Sequence, residues 1–136
     1  MNPILEQQLM DRFTFMEARH IRDAEKLNIP VGCDCQDGWY GVIYTLCEKI
    51  EQDLLLYPDT TFTVIQVKEK YGRLCFYTSS ICMKSKIFDY IAEAEQESAV
   101  TCENCGSKDD VNLYGNYWVR TRCRLCETDH NSDIRD

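Results

Sequence analysis

Thr101–Cys126 reads TCENCGSKDDVNLYGNYWVRTRCRLC, in which two Cys-x-x-Cys pairs, Cys102/Cys105 and Cys123/Cys126, flank seventeen residues. Four soft sulfur donors close a tetrahedron, and a two-residue gap lets one tight turn present two thiolates to the same ion. The spacing therefore predicts one structural Zn2+ per chain. Gly106, directly after the first pair, lets the knuckle enter left-handed backbone space. Val111–Tyr114 and Tyr117–Thr121 are β-branched and aromatic runs joined by Gly115-Asn116, a two-residue hairpin signal that carries the chain back to the metal. After Cys126, Glu127 and Asp129 would favour the first turn of a short helix. Knuckle, hairpin and helix describe a treble clef; without the helix the motif is a zinc ribbon. A four-sulfur set leaves no open coordination position, so its expected task is to hold a fold together rather than to catalyse.

The full chain has 136 residues, enough for one compact unit or for a body at 1–100 carrying a zinc motif at 101–136. Hydrophobic content of 44% argues against wholesale disorder. No membrane-length apolar run is present, and the start, Met-Asn-Pro-Ile-Leu-Glu, lacks a basic leader pattern, so a cytoplasmic location and no membrane association are expected. Nine cysteines in such a chain favour metal and reduced thiols over a disulfide framework. The formal net charge of -8 falls to about -10 when four thiolates surround a divalent ion, which disfavours a generic grip on nucleic acid.

Ahead of the zinc motif the chain reads as α+β, with helices packed on a short β-hairpin. Asn2-Pro3 opens a first helix with Leu5, Leu9, Phe13 and Met16 on one face, running on through Ala24 and Leu27 and stopping by Ile29-Pro30. His20 reads as a surface or packing residue. Val31–Asp37 reads as a loop; its Cys33-x-Cys35 would need Cys47 and His20 to build a second metal site, and plain thiols are the expectation. Asp37 is expected to cap a second helix with Trp39, Ile43, Leu46, Ile50 and Leu54 on its apolar face, ended by Tyr57-Pro58. Thr61–Lys68 and Arg73–Thr78 read as a hairpin, about 61–78, turning at Glu69–Gly72, with Lys68, Lys70, Tyr71 and Arg73 around its tip. A third helix is expected from Met83 to Val100, with Asp89, Glu93 and Glu97 forming an acidic stripe on its exposed side.

Asp37-Gly38-Trp39, Val67–Gly72 (VKEKYG), Leu74, Phe76-Tyr77, Ala92-Glu93 and the Cys-x-x-Cys-Gly knuckle together resemble a small family of phage and bacterial proteins that usually carry no assigned function. The resemblance covers about Gly32–Cys126 and implies a helix, a K-E-K-[FY]-G hairpin, another helix and a C-terminal zinc motif. It supplies no catalytic residue, and the chain departs from it at Cys75, where an arginine is usual, and before Gly32.

An enzyme lacks its parts here: two histidines, no glycine-rich phosphate loop, no His-x-Glu deaminase signature, and paired knuckles rather than one redox pair. Two classes remain. In the first, zinc fixes a rigid surface and the acidic helix or aromatic hairpin meets a protein partner; if the chain is phage-encoded, that partner is a host protein such as a defence component, in the host cytoplasm. In the second, Lys68, Lys70 and Arg73 with Arg120, Arg122 and Arg124 bind nucleic acid, with stacking through Tyr71, Tyr117 or Trp118. The arginines serve equally to shield the thiolate cluster. Net charge favours the protein partner.

Overall fold

The computed structural model describes residues 1–16, 32–79, 81 and 83–135, the last six of these by backbone alone. The expected continuation of the first helix to Ile29-Pro30, and His20 with it, lies outside the described residues. Helix α1 (Pro3–Arg12) starts as expected: Asn2 Oδ1 accepts from Ile4 N at 2.8 Å, and Pro3 occupies the first turn. It does not continue through Phe13. That residue turns extended, its ring is buried, and it lies 5.6 Å from the ring of Phe15 and 5.3 Å from that of Tyr44. Burying a large aromatic here outweighs another helical turn.

Helix α2 (Tyr40–Leu55) follows a single 3-10 turn at Asp37–Trp39 and buries Trp39, Ile43, Leu46, Cys47 and Ile50. Asp37 does not cap it; its carboxylate accepts from Asn2 N at 2.7 Å and so ties the chain start to the helix start. Strands β2 (Val64–Lys70) and β3 (Arg73–Thr78) form the antiparallel hairpin, with a two-residue turn at Tyr71-Gly72 rather than the four residues expected. Both turn residues have positive φ, +52° and +80°, the pairing required by a turn that matches strand twist. Cys33–Asp34, expected as loop, forms a short edge strand β1 parallel to β2, with Cys33 opposite Val67.

Helix α3 (Ile87–Ser98) is shorter than expected, and Met83 stands fully exposed ahead of it. Its start is fixed by Asp53, a buried carboxylate of α2, which accepts from Ser85 Oγ at 2.6 Å and Lys86 N at 3.3 Å, while Ser85 Oγ accepts from Ile87 N at 3.0 Å. These bonds satisfy amides that the first helical turn leaves without partners. α3 packs against both α2 and β3, and Ser98 Oγ accepts from Leu74 N at 2.9 Å inside the core. Among the described residues no helix is long and apolar enough to cross a membrane.

Candidate metal centre

The chain leaves α3 and enters the first knuckle at once. Cys102 N donates to Ser107 O at 2.8 Å and Gly106 N to Cys102 O at 2.9 Å, closing a turn in which Gly106 has φ +83°. Strands β4 (Val111–Tyr114) and β5 (Arg120–Cys123) then pair, and helix α4 (Arg124–Arg135) carries Cys126 in its first turn. The observed order is knuckle, hairpin, helix. The hairpin is joined by five residues, 115–119, not by Gly115-Asn116 alone, because Tyr114 faces Arg120 and Val111 faces Cys123. A two-residue loop would set Tyr114 against Tyr117 and carry Cys123 past the first pair. The register that returns Cys123 to Cys102 and Cys105 leaves Tyr117 and Trp118 in the loop, 103% and 82% exposed.

Cys102, Cys105, Cys123 and Cys126 come together with all four sulfurs within 4.8 Å of one another. Cys105 Sγ and Cys123 Sγ stand 3.7 Å apart, against about 3.8 Å for the edge of a tetrahedron with metal–sulfur bonds of about 2.3 Å. The donor set therefore fits one four-coordinate ion such as zinc. Although burial opposes ionisation of Cys102, backbone N–H groups of Cys123, Cys105 and Asn104 favour its thiolate and bring it down to about 7. Asn104 Nδ2 donates to Cys126 Sγ at 3.2 Å, yet burial and the other three thiols outweigh that bond and push Cys126 up to about 12. Crowded sulfurs resist shared negative charge, which a divalent ion would balance.

The knuckle is bound into the helical body. Gly38 N donates to Glu103 O at 2.7 Å, and a Cβ on Gly38 would lie 2.2 Å from Cys102 O. Glu103 N donates to Thr121 O at 3.0 Å, and Thr121 Oγ1 donates to Gly72 O at the hairpin tip. Gln36 N donates to the Glu103 carboxylate at 3.0 Å.

The other cysteines stand apart. Cys33, Cys35 and Cys47 are buried free thiols that form no metal-holding group among the described residues. Burial pushes Cys33 up to about 12 and Cys35 and Cys47 higher still.

The remaining predicted surface residues are scattered. Lys68 is half-buried with its ammonium 6.0 Å from the Tyr77 ring, Lys70 lies 5.9 Å from the Tyr71 ring, and Arg73 and Arg124 are exposed. Arg120 is half-buried and donates to both carboxylate oxygens of the buried Glu127. Arg122 reaches Gln36 Oε1 at 3.4 Å. On α3, Asp89 is exposed, but Glu93 pairs with Lys49 at 3.3 Å and Glu97 with Lys108 at 2.5 Å, so the stripe is interleaved with cations.

Residues the spacing did not mark sit beside the metal centre. A groove of about 920 Å³ opens between the β2–β3 turn and the β4–β5 loop, lined by Asp34, Glu69 and Glu103 together with Tyr71, Tyr117 and Trp118. Arg120 and Arg122 complete a wall, so two of the six predicted cations meet here, among carboxylates. Burial raises Glu69 and Glu103 above the ordinary carboxylate range, with nearby Asp34 adding to both. The groove draws on four chain segments, and only Glu103, next to a cysteine of the four-sulfur cluster, carries a local signal.

The fold and its four gathered thiols define a mixed α+β protein with a metal-binding module. Comparison of the chain with protein-family models, with curated proteins and with solved structures finds no match.

Proposed function

We propose that this chain is a zinc-stabilised protein-interaction module. The observation that carries the reading is the closed four-sulfur set at the junction of body and hairpin: it supplies no position for water or substrate, and it holds the loop on which Tyr117 and Trp118 stand exposed. Large exposed aromatics held rigidly by a buried scaffold are the usual anchors of protein recognition. The sequence of knuckle, hairpin and helix supports a treble clef as the form of the motif. A non-enzymatic role is in keeping with the ligand count. The resemblance to phage and bacterial proteins gives the reading its specific form, a phage-encoded protein that binds and modulates a host protein such as a defence component in the host cytoplasm. General binding to nucleic acid is disfavoured by a net charge of -8 and by the pairing of Arg120 with Glu127. Capture from the native host on zinc-loaded protein, with nuclease treatment and mass spectrometry, tests the reading. A specific partner that survives nuclease and is lost on chelation is the expected result; capture of nucleic acid alone overturns it.

A further inference from the structure

The groove beside the metal centre has an unbalanced charge. Three carboxylates line it, Asp34, Glu69 and Glu103, whereas Arg120 is committed to Glu127 and leaves Arg122 as the one lining cation outside an ion pair among the described residues. Lys68, opposite Asp34 in the β1–β2 register, holds its ammonium 6.0 Å from the Tyr77 ring and does not line the groove. Negative charge therefore exceeds positive inside the groove. Tyr117 and Trp118, which also line it, are exposed rings with open faces for a cation or a planar group, and Tyr71 beside them has the Lys70 ammonium 5.9 Å from its ring. A bare ion would answer the carboxylates alone, whereas a planar cationic side chain also covers the exposed Tyr117 and Trp118 rings.

From this complementarity we infer that the groove receives an arginine-bearing segment of a partner protein, the guanidinium lying between the aromatic rings and the carboxylates of Asp34 and Glu69. Arginine fits better than lysine because its planar head stacks on an indole or phenol while its N–H groups pair with a carboxylate. A volume of about 920 Å³ is ample for several residues of extended chain. A nucleic-acid strand would find aromatic faces here too, but would set its phosphates against the same carboxylates.

This inference rests on the interaction-module reading and gives that module's partner a chemistry. The test uses the zinc-loaded full chain at near-physiological salt, with fluorescein-labelled glycine–arginine repeat peptide as probe and the glycine–lysine peptide, the glycine–glutamate peptide and oligo-dT alongside. Polarisation should report binding of the arginine peptide, weaker binding of the lysine peptide, and none of the other two. Asp34→Asn with Glu69→Gln should weaken the arginine peptide by about tenfold or more. Trp118→Ala, in an exposed loop, should do the same while keeping zinc content and thermal stability, and so provides the arm that does not depend on the core. No binding to folded, zinc-loaded protein, binding indifferent to both variants, or preferential binding of oligo-dT overturns the inference. A host partner captured equally well by wild type and by both variants would also overturn it, yet leave the interaction-module reading standing.

Discussion

Trp39 Nε1 donates to the carbonyl oxygen of Thr101 at 2.9 Å in the buried interior, joining the start of α2 to the residue before the first cysteine of the four-sulfur cluster. Trp39→Phe keeps an aromatic ring but leaves that carbonyl without its donor. A cost of about 2–3 kcal/mol is expected from the lost bond and the smaller ring. Urea unfolding followed by circular dichroism, with a zinc indicator in solution, should show the body melting and the metal released in one shared transition, moved to lower urea.

Purified protein should carry one zinc ion per chain by elemental analysis. Cys102→Ser or Cys123→Ser should lose it, with destabilisation approaching the roughly 10 kcal/mol that a structural zinc contributes to a small module. Cys33→Ser with Cys35→Ser should leave the count unchanged. A second ion lost in that variant would relocate part of the metal chemistry to β1.

Two glycines separate contact from propensity. On Gly38 a Cβ would sit 2.2 Å from Cys102 O and 2.5 Å from Glu103 O, both backbone atoms, so Gly38→Ala must pry the knuckle from the body. A loss of about 2–3 kcal/mol and weaker zinc retention are expected. Gly41, early in α2, meets nothing within 4 Å, and Gly41→Ala should stabilise by up to about 1 kcal/mol. Thermal melts of the pair should move in opposite directions.

Tyr71 holds φ at +52° on the β2–β3 turn, a region where a bulky residue is strained. Tyr71→Asn, followed by Gly72, restores the residue pair this turn prefers and should stabilise the fold by about 1 kcal/mol. The same change should weaken the arginine peptide. Gain of stability with loss of binding, read by melting and polarisation on one preparation, would mark the tyrosine as retained for contact.

Burial holds the Cys33 thiol near 12, while the same thiol in the unfolded chain ionises at about 8.5. Above that lower value the unfolded state sheds a proton that the native state keeps, so stability is full below about pH 8.5 and declines as pH rises toward 12. Cys35 and Cys47 act in the same direction. Chemical denaturation between pH 8 and 10 should show the decline, and Cys47→Ala should flatten it. Iodoacetamide at pH 8, followed by peptide mapping, should leave Cys33, Cys35 and Cys47 unlabelled in native protein.

The four-sulfur cluster was legible because a paired knuckle is a local pattern, with each cysteine three residues from its mate. The second helix was legible from the spacing of Trp39, Ile43, Leu46 and Ile50, all of which are buried. What escaped was set at a distance. Gly115-Asn116 is a sound local turn signal, but the register of β4 on β5 is fixed by where Cys123 must arrive. Cys33–Asp34 pairs with Val67-Lys68 across more than thirty residues, and no propensity of a two-residue strand announces that. Nothing local to Asp53 marks it for burial; Ser85 and Lys86 are brought against it only by the fold. The groove's carboxylates likewise have no shared spacing along the chain.

The bond from Gly38 N to Glu103 O also bears on the order of events during synthesis. Chain growth delivers α1, β1 and α2 well before the knuckle, so the amide of Gly38 and the indole N–H of Trp39 emerge from the ribosome with their acceptors not yet made. Contacts of such long sequence separation form late and leave apolar surface uncovered meanwhile. The first pair of thiols follows Thr101 directly, so the residues that finish the core and the residues that begin the four-sulfur cluster leave the ribosome together. On the zinc-stabilised reading, metal supply during translation would then set how long the nascent body stays open to misassembly.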